Sequence, residues 1–137
     1  MSAKIPDSHK YLLEEAIPVT IATIMPDGNP QLSVVWCNYD GEHVLLNTAR
    51  GRQKDKNLLA RPMATVLAFD PENSLRYIEV RGTVVEMTEA GAVEHMDSLA
   101  QLYAGVDKYY GGYAPLERQQ TETRVLIKLK PTKVNIH

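Results

Sequence analysis

Within twelve consecutive positions, Arg50 to Arg61, the chain places five bases (Arg50, Arg52, Lys54, Lys56 and Arg61) against one acid, Asp55. The whole chain has a formal charge of -2, so removing this window, at net +4, leaves the remainder at -6. Positive charge is therefore local. A nucleic-acid binder would spread its bases over a face and interleave aromatics, whereas a compact cluster suits one small anion. Arg offers a planar fork of donors and Lys a mobile point charge. Each charge-assisted hydrogen bond is worth roughly 1.5–3 kcal/mol, so two of them can anchor a phosphorylated ligand.

Placement selects the pair. The cluster follows the apolar run HVLLNT and leads into KDKNLLARPM, a short helix that Pro62 closes, because proline disfavours the helical conformation in the residue before it. Bases at a helix start oppose the dipole, while the free N–H groups there favour an anion. On an ideal helix Arg52 and Lys56 share a face and Lys54 points elsewhere. With Gly51 and Arg52 still in the turn, Arg52 and Lys54 converge, and Arg50, Lys56 and Arg61 become solvated neighbours.

The remaining reactive residues form no supporting pattern. His9, His43, His95 and His137 lack ligand spacing, and His95, among Glu94, Asp97 and Ser98, reads as part of a solvated helix face. No metal site and no catalytic acid or base is expected. Cys37, the one cysteine, lies in the apolar run LSVVWCN and reads as a buried small hydrophobe. No Gly-x-Ser-x-Gly elbow or glycine-rich phosphate loop occurs. Trp36, near the basic window, and Tyr109, Tyr110 and Tyr113, in a glycine-containing loop, are the aromatics that could meet a planar ligand.

The elements that position these residues are mostly strands. A short helix is expected to begin near Asp7 or Ser8, capped by one of their oxygens. PVTIATIM, QLSVVWCN and HVLLNT then alternate as strands, separated by the turns PDGN and YDGE, in an antiparallel meander. After the basic window come MATVLAF and the long RYIEVRGTVVEM, which bends at Gly82 as barrel strands do at corners. Thr88 is expected to cap a helix carrying Val93, Met96, Leu99, Ala100 and Tyr103 on one apolar face. TRVLIKLKP is the last strand. The length, 137 residues, suits one domain spanning 1–137 with a single core. No apolar run approaches the roughly 18 residues a membrane helix needs, and the charged N-terminus and lone cysteine point to the cytoplasm.

The order of elements and the residues NTARGRQKDKNL, with PQLSVVW before them and RP.ATV after, together resemble the flavin-binding split-barrel family typified by pyridoxamine 5'-phosphate oxidase. The resemblance implies a mainly β fold, a six-stranded antiparallel split barrel with a few flanking helices, and a cofactor groove at a homodimer interface. The spacing Arg52-x-Lys54-x-x-Asn57-Leu58 is similar to the branch that binds the deazaflavin coenzyme F-420, with FMN the alternative. By position, Arg52 and Lys54 would bind the cofactor phosphate with help from Asn57. Asn47, Thr48 and Ala49 would line the ribityl chain and ring edge, and Ser33, Val34, Val35 and Trp36 would flank the ring.

The implied activity is an oxidoreductase passing a hydride to a small conjugated or heteroaromatic substrate, the cofactor carrying the chemistry. The chain lacks the extended C-terminal Arg and His segment with which pyridoxamine oxidases hold their substrate. The rival reading is a non-enzymatic flavin or haem carrier or sensor, with His43 or His95 as axial ligand in the haem case. Neither nucleic acid nor membrane is an expected partner.

Overall fold

The computed structural model describes residues 2–137, and among them seven strands form one antiparallel sheet. They are β1 (Val19–Ile24), β2 (Pro30–Val35), β3 (Cys37–Tyr39), β4 (Val44–Ala49), β5 (Met63–Asp70), β6 (Asn73–Thr88) and β7 (Arg124–Ile136). The order across the sheet is β2-β1-β5-β6-β7-β4-β3. Its two ends, β2 and β3, are consecutive in the chain and separated only by Trp36. The sheet therefore curls until its edges meet along one interrupted strand, which is a split barrel. Six strands were expected because QLSVVWCN alternates without a break. The seventh arises where that run changes partner, from β1 (Val19 opposite Val35) to β4 (Cys37 opposite Leu46).

Tyr103 plugs the interruption. Its hydroxyl accepts from the Cys37 amide at 3.1 Å and lies 3.0 Å from the Cys37 carbonyl and 2.9 Å from that of Ile17. Burial and then the neighbouring Cys37 thiol push the Tyr103 hydroxyl well above its ordinary pKa, although the bond from the Cys37 amide works the other way. Backbone groups loosened at a strand break need such a partner, since burying them unpaired costs as much as a lost hydrogen bond.

The bend at Gly82 is present: the register of β6 on β7 shifts between Arg81 and Gly82. A Cβ there would stand 2.6 Å from the Lys130 carbonyl oxygen, so only glycine admits this approach. Side chains of Val19, Ile21, Val44, Leu46, Val66, Ile78, Val80, Val125, Ile127 and Leu129 fill the barrel.

Helices α1 (Tyr11–Glu14), α2 (Gln53–Ala60) and α3 (Ala92–Ala104) close the outside. α1 packs on β3 and β5, α2 on β1 and β4, and α3 on β4 and β7. Two expected caps are corrected. α1 starts after Lys10 with no side-chain cap, the Asp7 carboxylate pairing with Lys10 at 2.8 Å instead. Thr88 ends β6, its hydroxyl taking the Ala90 amide, and α3 starts after Gly91. Thr88 thus makes a local side-chain-to-backbone turn, a common competing use of such residues, while Asp7 is taken up by an ion pair. No helix among the described residues is long and apolar enough to cross a membrane.

Candidate functional site

The turn between β4 and α2 is built to expose a base. Gly51 adopts φ +87°, a left-handed conformation that favours glycine. Arg52 follows in extended conformation as the residue before the helix, as the convergence of Arg52 and Lys54 required. Asp55, buried in the first turn, accepts from the Gly51 amide at 2.9 Å and from Arg50 Nη1 at 2.9 Å. An acid there offsets the cost of bases at the positive end of the dipole. Arg50 is held further by Glu89 at 2.9 Å. Arg61 donates to the Ile24 carbonyl at 2.8 Å. These two bases are structural, not solvated, while Lys56 is exposed.

Lys54 behaves differently. Its Nζ donates to the Ser33 hydroxyl at 3.0 Å, and no carboxylate pairs with it among the described residues. Desolvation, and then the charges of Arg52 and Arg124, lower its pKa. Lys54 and Arg52 face a cavity of about 210 Å³ walled also by Val34, Val35, Trp36, Asn47 and Arg124, with Tyr109 and Tyr113 at its rim. Arg52 Nη2 donates to Glu122 at 2.8 Å.

Of the residues expected at the site, Arg52, Lys54, Val34, Val35, Trp36 and Asn47 line this one cavity, and Ser33 touches it through Lys54. Thr48, Ala49 and Asn57 do not line it. Strand alternation turns Thr48 into the barrel opposite Val125, where its hydroxyl has no partner among the described residues. Ala49 is buried beside Arg124. Asn57 is fully buried and structural: it donates to Thr23 Oγ1 at 3.0 Å and accepts from Gln53 at 2.8 Å, tying α2 to β1.

The aromatic wall is continuous. Trp36 stacks on Tyr103 with centroids 5.1 Å apart and meets Tyr113 at 4.9 Å and Tyr109 at 6.4 Å. Tyr110 is turned away, donating to Glu122 at 2.7 Å, and burial followed by that hydrogen bond pushes its pKa up to about 12. Cys37 is buried with its thiol pushed up to about 12 by desolvation, as the apolar setting implied.

The expectation for His95 is corrected. It is buried under β4, not solvated, because it shares the inward face of α3 with Ala92, Met96 and Leu99, while Glu94, Asp97 and Ser98 fall on other sides. Its Nδ1 accepts from Asn47 Nδ2 at 3.0 Å and its Nε2–H donates to Asn38 Oδ1 at 2.8 Å, a tautomer assigned from these partners. Burial, then the charge of Arg124, lowers its pKa to about 4, so the ring is neutral. Asn47 also donates to the Ala92 carbonyl at 2.9 Å and accepts from Arg124 Nε at 2.8 Å. Both ring nitrogens are thus occupied. His43 sits on the β3–β4 turn beside Asp40, and neither histidine is among the residues that line the cavity.

Arg124, which lines the cavity, and Glu122, which pairs with Arg52 beside it, are the residues that sequence reasoning missed. Arg124 opens β7 on the face opposite the barrel core, where an exposed base would be ordinary. Only the covering helix α3 makes it buried. A signal was available at His95, which lies three residues from Ala92 and four from Leu99 in helical register.

A family model described as pyridoxamine 5'-phosphate oxidase matches residues 5–137, and the chain belongs to that family. Among solved structures, one described as an F-420 reductase is 30% identical, with a TM-score of 0.81 over 96% of this chain and 98% of that one. A conserved hypothetical protein from Mycobacterium tuberculosis is 26% identical, with a TM-score of 0.69 over 88% of this chain and 76% of that chain. The haem storage protein HutZ from Vibrio cholerae, at 15% identity and TM-score 0.63 over 89% and 87% of the two chains, shares the fold.

Proposed function

We propose that the protein is an oxidoreductase that uses coenzyme F-420, with FMN the nearest alternative, and passes a hydride to a small conjugated or heteroaromatic acceptor. The observation that carries this is Lys54, free of any carboxylate partner, beside Arg52 in a cavity walled by Trp36. The similarity to a structure described as an F-420 reductase supports the choice of deazaflavin.

The residues present fit a phosphate-bearing planar cofactor. Lys54 and Arg52 would hold the phosphate, Val34, Val35 and Trp36 would form the apolar wall for the ring, and Asn47, its amide spent on Ala92, His95 and Arg124, would fix the floor between them. Bound there in reduced form, the cofactor supplies the hydride. The protein orients it and keeps water from it; the neutral His95 and Cys37, with its high pKa, supply no acid or base at the cavity.

At about 210 Å³ the cavity is smaller than the roughly 300–1,000 Å³ usual for small-molecule sites. A second copy would complete it. The outer face of β1, β2, β5 and β6 carries a groove of about 710 Å³ lined by Leu32, Leu67, Phe69 and Tyr77, and Leu32 and Val34 project from the same side of β2. We propose that two copies pair through this face in a cytoplasmic homodimer.

Titration with F-420 and with FMN, followed by cofactor fluorescence, tests the assignment. Arg52→Ala and Lys54→Ala should each weaken binding about tenfold or more. If both variants bind like the parent, the phosphate site lies elsewhere. Reduced F-420 should be consumed when acceptors are added; saturable binding with no turnover of any acceptor would leave a carrier.

A further inference from the structure

We infer that Arg124 is an anion-binding residue of this cavity, and that Glu122 is a resident carboxylate holding Arg52 and Arg124 until a ligand anion displaces it. This rests on the reading of the cavity as a phosphate site and adds two residues that the Arg-x-Lys spacing does not contain.

The side chain of Arg124 is only 3% exposed. Nε donates to Asn47, Nη2 contacts Met96 Sδ at 3.3 Å, and the guanidinium carbon lies 5.4 Å from the centre of the Tyr109 ring. Nη1 stands 3.6 Å from Glu122 Oε1, beyond hydrogen-bond distance, and has no hydrogen-bond partner among the described residues. A buried charged donor left unpaired is costly, and an apolar side chain of similar length would fill the space without that cost. The unpaired N–H belongs to a residue that lines the cavity with Arg52 and Lys54, where a phosphate oxygen would accept it.

Glu122 shows how the cluster is held meanwhile. Its carboxylate accepts from Tyr110 at 2.7 Å and from Arg52 at 2.8 Å. Despite desolvation, these contacts and the charge of Arg124 keep it below the ordinary carboxylate range, so it remains charged at neutral pH. With Glu122 in place, Arg52, Lys54 and Arg124 keep two positive charges unbalanced, and three once Glu122 is displaced, so a ligand must bring at least two negative charges to replace it without loss. A phosphate monoester, or a phosphodiester with a neighbouring carboxylate, supplies the two negative charges. The Arg52 side of the pair is 44% exposed and the Glu122 side 15%, so a ligand oxygen can reach Arg52 but must compete with a largely buried carboxylate that Tyr110 also holds. Glu122 thus sets the threshold: a weakly charged ligand does not displace it, and a doubly charged one does.

Trp36 is the only tryptophan and forms part of the wall, so its fluorescence reports binding independently of turnover. The probes are FMN against riboflavin, and F-420 against its deazaflavin core lacking the phosphate-linked tail. Glu122→Gln keeps an acceptor for Tyr110 and removes the competing charge; it should tighten the phosphorylated member of each pair several-fold and leave the unphosphorylated member unchanged. Arg124→Gln should weaken the phosphorylated member about tenfold or more with the same selectivity, and Arg124→Lys should give a smaller loss.

Equal weakening of both members would show that Arg124 merely supports the fold, and overturns the proposal. So does Glu122→Gln binding FMN or F-420 no more tightly than the parent, a result that stands even if Arg124→Gln fails to fold. If the Arg124 and Glu122 variants behave like the parent while Arg52→Ala and Lys54→Ala weaken binding, this inference alone fails. If Arg52→Ala and Lys54→Ala bind normally, the phosphate site itself is misplaced.

Discussion

Two concavities on this barrel differ in almost every respect. The one beside α2 is small, about 210 Å³, and is ringed by Arg52, Lys54 and Arg124. The one on the outer face of β1, β5 and β6 is more than three times larger, about 710 Å³, and among its lining residues only Glu79 is charged. Size alone would send a ligand to the larger. The chemistry favours the smaller, where among the described residues Lys54 has no carboxylate partner and Arg124 Nη1 no hydrogen-bond partner. The large groove instead has the character of a surface awaiting a partner, with Leu32 61% and Phe69 47% exposed.

The sharpest way to break this division is to empty the small cavity of its charge. Arg52→Ala combined with Lys54→Ala should reduce F-420 or FMN affinity by about a hundredfold or more, at roughly 1.5–3 kcal/mol for each lost contact. The oligomeric state, measured by light scattering, should not change. A dissociated double variant would mean that the two concavities are not separable.

The next effect concerns the packing beneath the cavity. Burial, then the charge of Arg124, lowers the His95 pKa to about 4 in the folded protein, against the ordinary histidine value of about 6.5 in the unfolded chain. The unfolded chain therefore binds the proton first as pH falls, so stability is full above about 6.5 and declines down to about 4. The loss is on the order of 3 kcal/mol. Urea unfolding at pH 7 and pH 4.5 should show it, and His95→Gln should flatten the difference. An unchanged pH dependence in that variant would place the acid sensitivity elsewhere, including in the groove.

The smallest change is expected in folding stability when the groove is altered. Leu32→Asp with Phe69→Asp should convert dimers to monomers and weaken cofactor binding several-fold. The unfolding midpoint extrapolated to the monomer should move little, since both side chains are exposed. Dimers that persist in this variant would assign self-association to another face.

Much of this division could be read from residue order. The hairpins, the bend at Gly82 and the convergence of Arg52 and Lys54 on one cavity follow from local turn chemistry and from where charge sits relative to a helix start. The partner switch at Trp36 could not be read, because alternation along QLSVVWCN says which face a residue takes and nothing of which strand lies beside it. Thr48 and Asn57 were assigned to the ligand by position, yet alternation turns one into the core and helix register sends the other toward Thr23. Arg124 and His95 were hidden for one shared reason. Each is polar in sequence and buried only because α3 crosses β4 and β7, a tertiary fact.

The interruption at Trp36 has a consequence for solubility. Each half of the broken strand pairs on one side only, so β2 and β3 each retain an unpaired side, and such edges are templates for intermolecular strand pairing. Beside β2 the link to α2 is Lys54 on Ser33, and the neighbouring strand β1 is tied to α2 through Asn57 on Thr23. Lys54, proposed above to hold the cofactor phosphate, thus lies against an exposed edge strand, and a ligand that binds only the folded chain stabilises the arrangement that keeps this edge from opening further. Cofactor loading should therefore slow aggregation on mild heating, and colonies starved of cofactor should accumulate the protein in insoluble form.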